Sequence, residues 1–315
     1  MKKVLAAALC AATVMGASGA LAADINFVTA GTSSTFYPIS ATVCQLWNDS
    51  IEGMRATATP SGGGIDNLNQ ALDGEAQIGI ANANLVYQAR EGIDSFEGYA
   101  NDNLRIFAGL YYNPNQVVVA RESGIDSLED LIGKHISVGA AGSTTVDEAS
   151  VHLSLMGKTL DDLKAEYMGT SESADAMSNK QLDGVWVMAG TPNAAVTQIM
   201  TTTDAKILPI PAETVEALKE NYPWYANYTI PAGTYAGQDE DVPTSAVKLT
   251  LFVTADVDEE TVYQMTKTFW ENWDMLTQTH AALRKASLEE ACTDLAGVPI
   301  HEGAARYYRE VGVLE

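Results

Sequence analysis

The chain has 315 residues, of which 46% are hydrophobic and 19% charged. That composition excludes disorder and supplies enough apolar residues for sizeable cores, and the length favours two domains over one. The 41 acidic residues against 18 basic ones give a net charge of −23, which argues against nucleic acid or an anionic lipid surface as partner.

Residues 1–23 read as a secretory signal peptide. Lys2 and Lys3 form the positive start, residues 4–15 a short apolar run, and Ala20-Leu21-Ala22 an A-x-A cleavage site. The run is too short for a membrane anchor and no later stretch reaches spanning length, so an exported, soluble, periplasmic protein is expected. Cys44 and Cys292 lie beyond the cleavage site. An oxidising compartment would let them pair, and two buried apolar thiols are the other reading.

Residues 25–29 read as a strand. Residues 37–51 follow as a helix with Ile39, Val43, Leu46 and Trp47 on one face. Residues 54–59 are the next strand, 65–73 a helix closed by Gly74, and 76–81 a short buried strand running into the polar Asn82-Ala83-Asn84. This alternation implies an α/β protein with a mostly parallel sheet, whose ligands sit beyond the carboxyl ends of the strands. Two more strands are expected at 104–111 and 116–120, a short capped helix at 127–131, a strand at 134–139 and a helix at 144–156. Strands follow at 166–169 and 184–188. The second of these runs into Ala189-Gly190-Thr191-Pro192 and a helix at 194–201. A long apolar strand at 246–253, one helix over 258–276 and two final helices at 281–291 and 303–311 complete the chain.

Three loops share one grammar, in which a strand leads through small residues into a helix. They are Gly31-Thr32-Ser33-Ser34-Thr35, Ser61-Gly62-Gly63-Gly64 and Gly139-Ala140-Ala141-Gly142-Ser143-Thr144-Thr145. Free N–H groups and the positive end of a helix dipole suit an anion, and ordinary N-caps are the alternative for each loop. No phosphate-binding P-loop, dinucleotide motif, nucleophile elbow or metal-ligand spacing is present, and the four histidines are scattered. The expectation is a binding protein and not an enzyme, with no cofactor and no metal.

Several segments resemble one family. Gly31-Thr32-Ser33-Ser34-Thr35-Phe36-Tyr37-Pro38, Ser61-Gly62-Gly63-Gly64-Ile65-Asp66-Asn67-Leu68 and Gly74-Glu75-Ala76-Gln77-Ile78-Gly79-Ile80 are similar to TAXI-type solute-binding proteins of TRAP transporters. So are Ser127-Leu128-Glu129-Asp130-Leu131, Ile230-Pro231-Ala232-Gly233-Thr234-Tyr235 and Pro299-Ile300-His301-Glu302-Gly303-Ala304. The chain departs from the pattern at Ser33-Ser34, where relatives are richer in glycine, and at Glu302, which replaces a usual proline. The resemblance implies a two-lobed type II periplasmic-binding-protein fold with a hinge and an interlobe ligand cleft. It also implies capture of a small organic anion, a carboxylate such as glutamate or 2-oxoglutarate, by a monomer that delivers it to the membrane permease subunits of a sodium-coupled TRAP transporter. A receptor for an ABC importer or a sensor kinase, or an exported transferase on the same fold, are the rival readings.

Rhythm and resemblance together assign residues 24–115 plus 248–315 to lobe 1 and residues 116–247 to lobe 2. The expected ligand set is Thr32, Ser33, Ser34, Ser61, Gly62 and Asn82 or Asn84 from the first lobe, with Ser143, Thr144 and Thr145 closing from the second. Tyr37, Trp186 and Thr191 are expected along the apolar middle. Core packing is the competing role for Tyr37 and Trp186, and helix capping for residues 143–145. No arginine falls in these loops, which leaves Arg55, Arg90 and Arg121 as the cations to watch.

Overall fold

The computed structural model describes residues 23–32, 36–141 and 143–315. The expected signal peptide lies outside the described residues, apart from its last residue, and so do Ser33 and Ser34. In chain order the strands and helices are β1 (Ala23–Val28), α1 (Phe36–Ser50), β2 (Met54–Thr59), α2 (Gly64–Leu72), β3 (Ile78–Asn82), α3 (Ala83–Glu91), β4 (Leu104–Ala120) and β5 (His135–Ser137). There follow α4 (Thr144–Ser154), β6 (Lys164–Glu166), α5 (Thr170–Ser178), β7 (Gly184–Met188), α6 (Ala194–Thr202), β8 (Ala205–Leu208), α7 (Ala212–Lys219) and β9 (Tyr225–Ile230). The last are β10 (Val242–Thr254), α8 (Glu259–Glu271), α9 (Trp273–Thr279) and α10 (Glu302–Glu310).

β1 pairs in parallel with β2 and β3, as the alternating rhythm requires. α1 covers this parallel set by burying Ile39, Val43, Cys44 and Trp47. Trp47 is fully buried between Phe27 and Phe107, with ring centroids 6.0 and 5.8 Å away, and its indole N–H donates to the Met265 carbonyl at 3.0 Å. That hydrogen bond removes the penalty of burying an indole donor.

The sequence predicts two strands at 104–111 and 116–120, and the chain forms one strand of 17 residues. The polar stretch Tyr112-Asn113-Pro114-Asn115 stays extended because β10 pairs along it, with Lys248 opposite Tyr112 and Ala246 opposite Pro114. β7 then takes over at Asn115, opposite Met188. Tertiary pairing overrides a local signal for a turn. β10 also begins earlier than its apolar run, because β9 pairs with Val242–Val247.

Two further corrections concern the C-terminal region. The helix expected over 258–276 breaks at Asn272 into α8 and α9. The helix expected over 281–291 is a single 3-10 turn, Ala281–Lys285. Its continuation is tied sideways: the Ala291 carbonyl accepts from the Gly109 N–H at 2.8 Å, and the Glu290 carbonyl accepts from Lys248 Nζ at 3.0 Å. Carbonyls committed to the crossing strands are not available to an α-helical ladder.

The strand directions fix where an opening must lie. β3 runs antiparallel to β10, β10 to β4, and β4 to β7. β3 and β7 therefore run toward each other, and their carboxyl ends, Asn82 and Met188, meet beside residues 111–115 of β4. The side chains confirm the approach: Asn82 Nδ2 lies 3.8 Å from Met188 Sδ, and Asn113 donates to Asn82 Oδ1 at 3.1 Å. β4 and β10 are the long strands that pass between the two halves of the sheet.

Candidate ligand-binding cleft

The loop after β2 saturates itself. The Ser61 hydroxyl donates to Asn67 Oδ1 at 2.5 Å, and the Gly62 N–H is taken by the Asp66 carboxylate at 2.8 Å. Asn67 is fully buried and also donates to the carbonyls of Thr29 and Ile80, at 2.6 and 2.7 Å. An acidic residue in the first turn of α2 thus satisfies the donor that an incoming anion would need.

The loop before α4 behaves differently. Gly139 sits at φ +94°, in the left-handed region that favours glycine, and a Cβ there would stand 2.7 Å from Thr145 and 2.8 Å from Ser143 Oγ. Ser143 occupies the N-cap position, yet its hydroxyl makes no capping bond. Among the described residues its Oγ is buried without a partner, and so is Asn84 Oδ1 at the start of α3. Thr144 and Thr145 are half-buried beside it.

α4 is held from beneath by a closed polar network. Glu148 is buried and accepts from Asn115 at 2.8 Å and from the Tyr225 hydroxyl at 2.9 Å. Burial raises its pKa to about 7, the two donated hydrogen bonds oppose that rise, and Asp147 adds to it. His152 Nδ1 faces the Glu148 carbonyl at 2.7 Å and its Nε2 faces Ser245 Oγ at 2.7 Å. A carbonyl only accepts, so Nδ1 carries the proton and Nε2 accepts from Ser245. Burial lowers the His152 pKa to about 4. Trp186 belongs to this network: it is 1% exposed and its indole N–H donates to Asn115 Oδ1 at 2.8 Å. The structure therefore places Trp186 in the core. Asn115, Thr244 and Ser245 lie on β4 and β10, so the network ties α4 to both long strands.

Beyond the carboxyl end of β7 lies a cavity of about 540 Å³, lined by Tyr111, residues 189–194, Ala282 and Lys285. Gly190 keeps it open on one side: a Cβ there would lie 3.3 Å from the Tyr111 ring and 3.8 Å from Asn113 Oδ1. Phe36, which opens α1, stacks on Tyr111 with centroids 6.1 Å apart. Asn193 caps α6 by accepting from the N–H groups of Ala195 and Val196, at 2.9 and 3.3 Å, while its own N–H donates to the Tyr235 hydroxyl at 2.8 Å. Thr191 is buried and accepts from Lys285 Nζ at 2.6 Å.

Of the residues expected at a site, Thr191 lines this cavity and Asn82 stands behind it through Asn113. Thr32 is exposed in a turn and Tyr37 half-buried in the first turn of α1. The expected arginines are occupied elsewhere. Arg55 pairs with Asp24 at 2.5 Å, Arg90 donates to the carbonyls of Asp102 and Leu104, and Arg121 lies 3.3 Å from Asp204. Cys44 and Cys292 are both free thiols, and burial raises their pKa to about 12 and about 11. Sequence reasoning missed Tyr111, Asn113, Gly190, Asn193 and Lys285. The strand–Gly-Thr-Pro-Asn–helix pattern at 184–194 was the signal for Gly190 and Asn193. Nothing local marked Lys285. Among the described residues there is no cluster of metal-ligating side chains and no helix long and apolar enough to cross a membrane.

Residues 27–312 match the family model described as NMT1-like family. In three dimensions the chain is similar to the periplasmic aliphatic sulphonate binding protein SsuA from Escherichia coli, at 11% identity over 93% of this chain and 79% of that one, with a TM-score of 0.50. It is similar to a putative periplasmic sulfonate-binding protein SsuA of a sulfonate ABC transporter from Methylobacillus flagellatus, at 12% identity over 93% and 88%, with a TM-score of 0.53. It is also similar to a TctC solute binding protein from Polaromonas, at 14% identity over 83% and 86%, with a TM-score of 0.51. At such identities the likeness establishes the fold, which is the two-lobed α/β fold of periplasmic binding proteins.

Proposed function

The chain belongs to the NMT1-like family, and from that premise we propose that it is a periplasmic solute receptor that captures a small organic anion and hands it to a membrane transporter. The reading rests most on one observation. A cavity of about 540 Å³ lies beyond the carboxyl end of β7, and the described residues that line it carry polar groups and no carboxylate. A cavity of that size holds a small metabolite, and few convergent polar groups in a mostly apolar wall are what such sites use.

In this reading residues 24–115 plus 248–315 form one lobe and residues 116–247 the other, with β4 and β10 as the hinge. Closure is a population shift driven by contacts that exist only when both lobes reach the solute. Asn82, Asn113 and Tyr111 would hold it from the first lobe, and Thr191 and Asn193 from the second. The buried unpartnered oxygens of Ser143 and Asn84 support a role for the polar helix starts as well, because a native buried polar atom without a partner calls for one. Within this proposal the permease is of the TRAP type, the solute a carboxylate such as glutamate or 2-oxoglutarate, and the receptor a monomer. A sulfonate and an ABC importer make the second reading, favoured by the fold neighbours described as sulfonate-binding proteins.

A thermal-shift screen of the protein lacking residues 1–23 against carboxylates, amino acids and sulfonates separates the two. A ligand that binds only the folded chain raises the melting temperature by mass action. A rise with a dicarboxylate or an amino acid supports the first reading and a rise with a sulfonate the second. Turnover of a compound from the panel would defeat both.

A further inference from the structure

We propose that Lys285 is the residue that recognises the charge of the solute, by holding an oxyanion, a carboxylate or sulfonate oxygen, against the cavity after β7. The inference rests on reading that cavity as the solute site and names the group that makes it selective.

Lys285 Nζ donates to Thr191 Oγ1 at 2.6 Å, and Thr191 is 4% exposed. A hydroxyl fixes the ammonium in place without cancelling its charge. Among the described residues no carboxylate lies within 4.0 Å of Lys285, whereas ten other lysines and arginines make such pairs. Lys248, the other lysine near the crossing strands, is fully buried but already compensated. It sits 4.3 Å above the Tyr112 ring, donates to the Glu290 carbonyl and has the Glu290 carboxylate 3.9 Å away. An ammonium carries three donors. Among the described residues Lys285 spends one on Thr191, which leaves two for an oxyanion.

The surroundings act in the same direction. Although the Lys285 side chain as a whole is exposed, the atoms packed around its ammonium lower its pKa from the ordinary lysine value. Such partial desolvation strengthens attraction to an anion. Asn193 and Ala194, at the positive end of α6, line the same cavity. A second cavity of about 690 Å³ shares Pro192 and Lys285 but is lined by Glu290, so an anion is favoured on the side of Tyr111 and Gly190. On a chain of net charge −23, an anionic solute needs such a local positive focus to enter at all.

Isothermal titration of the protein lacking residues 1–23 with 2-oxoglutarate, L-glutamate and ethanesulfonate tests this, using wild type, Lys285→Met and Lys285→Arg. The expected result is that wild type binds one of the three, Lys285→Met loses about 30-fold or more in affinity and Lys285→Arg recovers most of it. The ligand-free melting temperature should be the same for all three proteins. Affinity in wild type should also fall as salt rises, with a weaker dependence in Lys285→Met. If wild type binds an anion and Lys285→Met binds it equally well, Lys285 is not the recognition group although the receptor reading stands. If wild type binds none of the three, the anion reading fails and this inference falls with it.

Discussion

The loop after β2 and the loop after β7 are built alike, with a strand leading through small residues into a helix, and they end in opposite electrostatic states. In the first, Asp66 and Asn67 consume the donors of Gly62 and Ser61, and the loop becomes a clasp between β1, β3 and α2. In the second, Asn193 caps α6, Gly190 leaves space in front of Tyr111, and an uncompensated ammonium is brought from residue 285. The difference teaches that a glycine- and hydroxyl-rich turn is not itself a site. What decides is whether the following helix supplies its own carboxylate in the first turn, as α2 does with Asp66, or a neutral cap, as α6 does with Asn193.

The comparison breaks hardest at Asn67. Truncation to alanine removes a fully buried side chain that satisfies two carbonyls and a hydroxyl, and should cost about 3 kcal/mol of stability in urea unfolding. Solute affinity in the folded fraction should be unchanged, and a loss of affinity at constant stability would turn the clasp back into a site.

The loop before α4 sharpens the contrast through the network beneath it. The Glu148 pKa is raised from 4.5 to about 7, so this group contributes stability that is fully present below pH 4.5 and lost as pH rises toward 7. The span is on the order of 3 kcal/mol. His152 is lowered from 6.5 to about 4, so its contribution is present above pH 6.5 and lost as pH falls toward 4. In wild type the two slopes oppose each other between these limits. Glu148→Gln should remove one of them, leaving stability that climbs with pH from 4 to 6.5. Unfolding curves across pH 4 to 8 that run parallel for the two proteins would show that Glu148 ionises normally.

At the second loop, Gly190→Val fills the space in front of Tyr111 and should weaken solute binding by about tenfold, roughly 1.4 kcal/mol. The ligand-free melting temperature should change little. Undiminished binding in a titration would move the site away from this cavity. The smallest effect is expected from Asp66→Ala, which uncaps Gly62 and should cost about 1 kcal/mol with no change in solute affinity.

Much of the frame was legible in advance. Strands β2 and β7 and helices α1, α2, α4 and α6 fall at or within two residues of their predicted ends, because their apolar periodicity and flanking glycines are local signals. α3 has no counterpart among the predicted elements, which stop at the polar Asn82-Ala83-Asn84, although Leu85, Val86 and Ala89 bury its inner face. β8, β9, α5 and α7 were missed altogether. β8 and β9 pair with β4 and β10 rather than declaring themselves locally. Of the cavity lining, Thr191 is the one residue also expected from the sequence, because it follows a buried strand. Trp186 was left between two roles until Asn115, 71 positions away in sequence, accepted its N–H.

Patterning along the chain was enough to specify an α/β protein with parallel strands and polar helix starts at their carboxyl ends, since strand and helix periods and caps act over a few residues. Which of those starts would stay open was decided by the tertiary structure. The answer depends on side chains that arrive from elsewhere, Asp66 into one loop from four residues away and Lys285 into the other from 94. Charge compensation falls off with distance in space and not in sequence, so only the packed chain determines which cation is left without a carboxylate beside it.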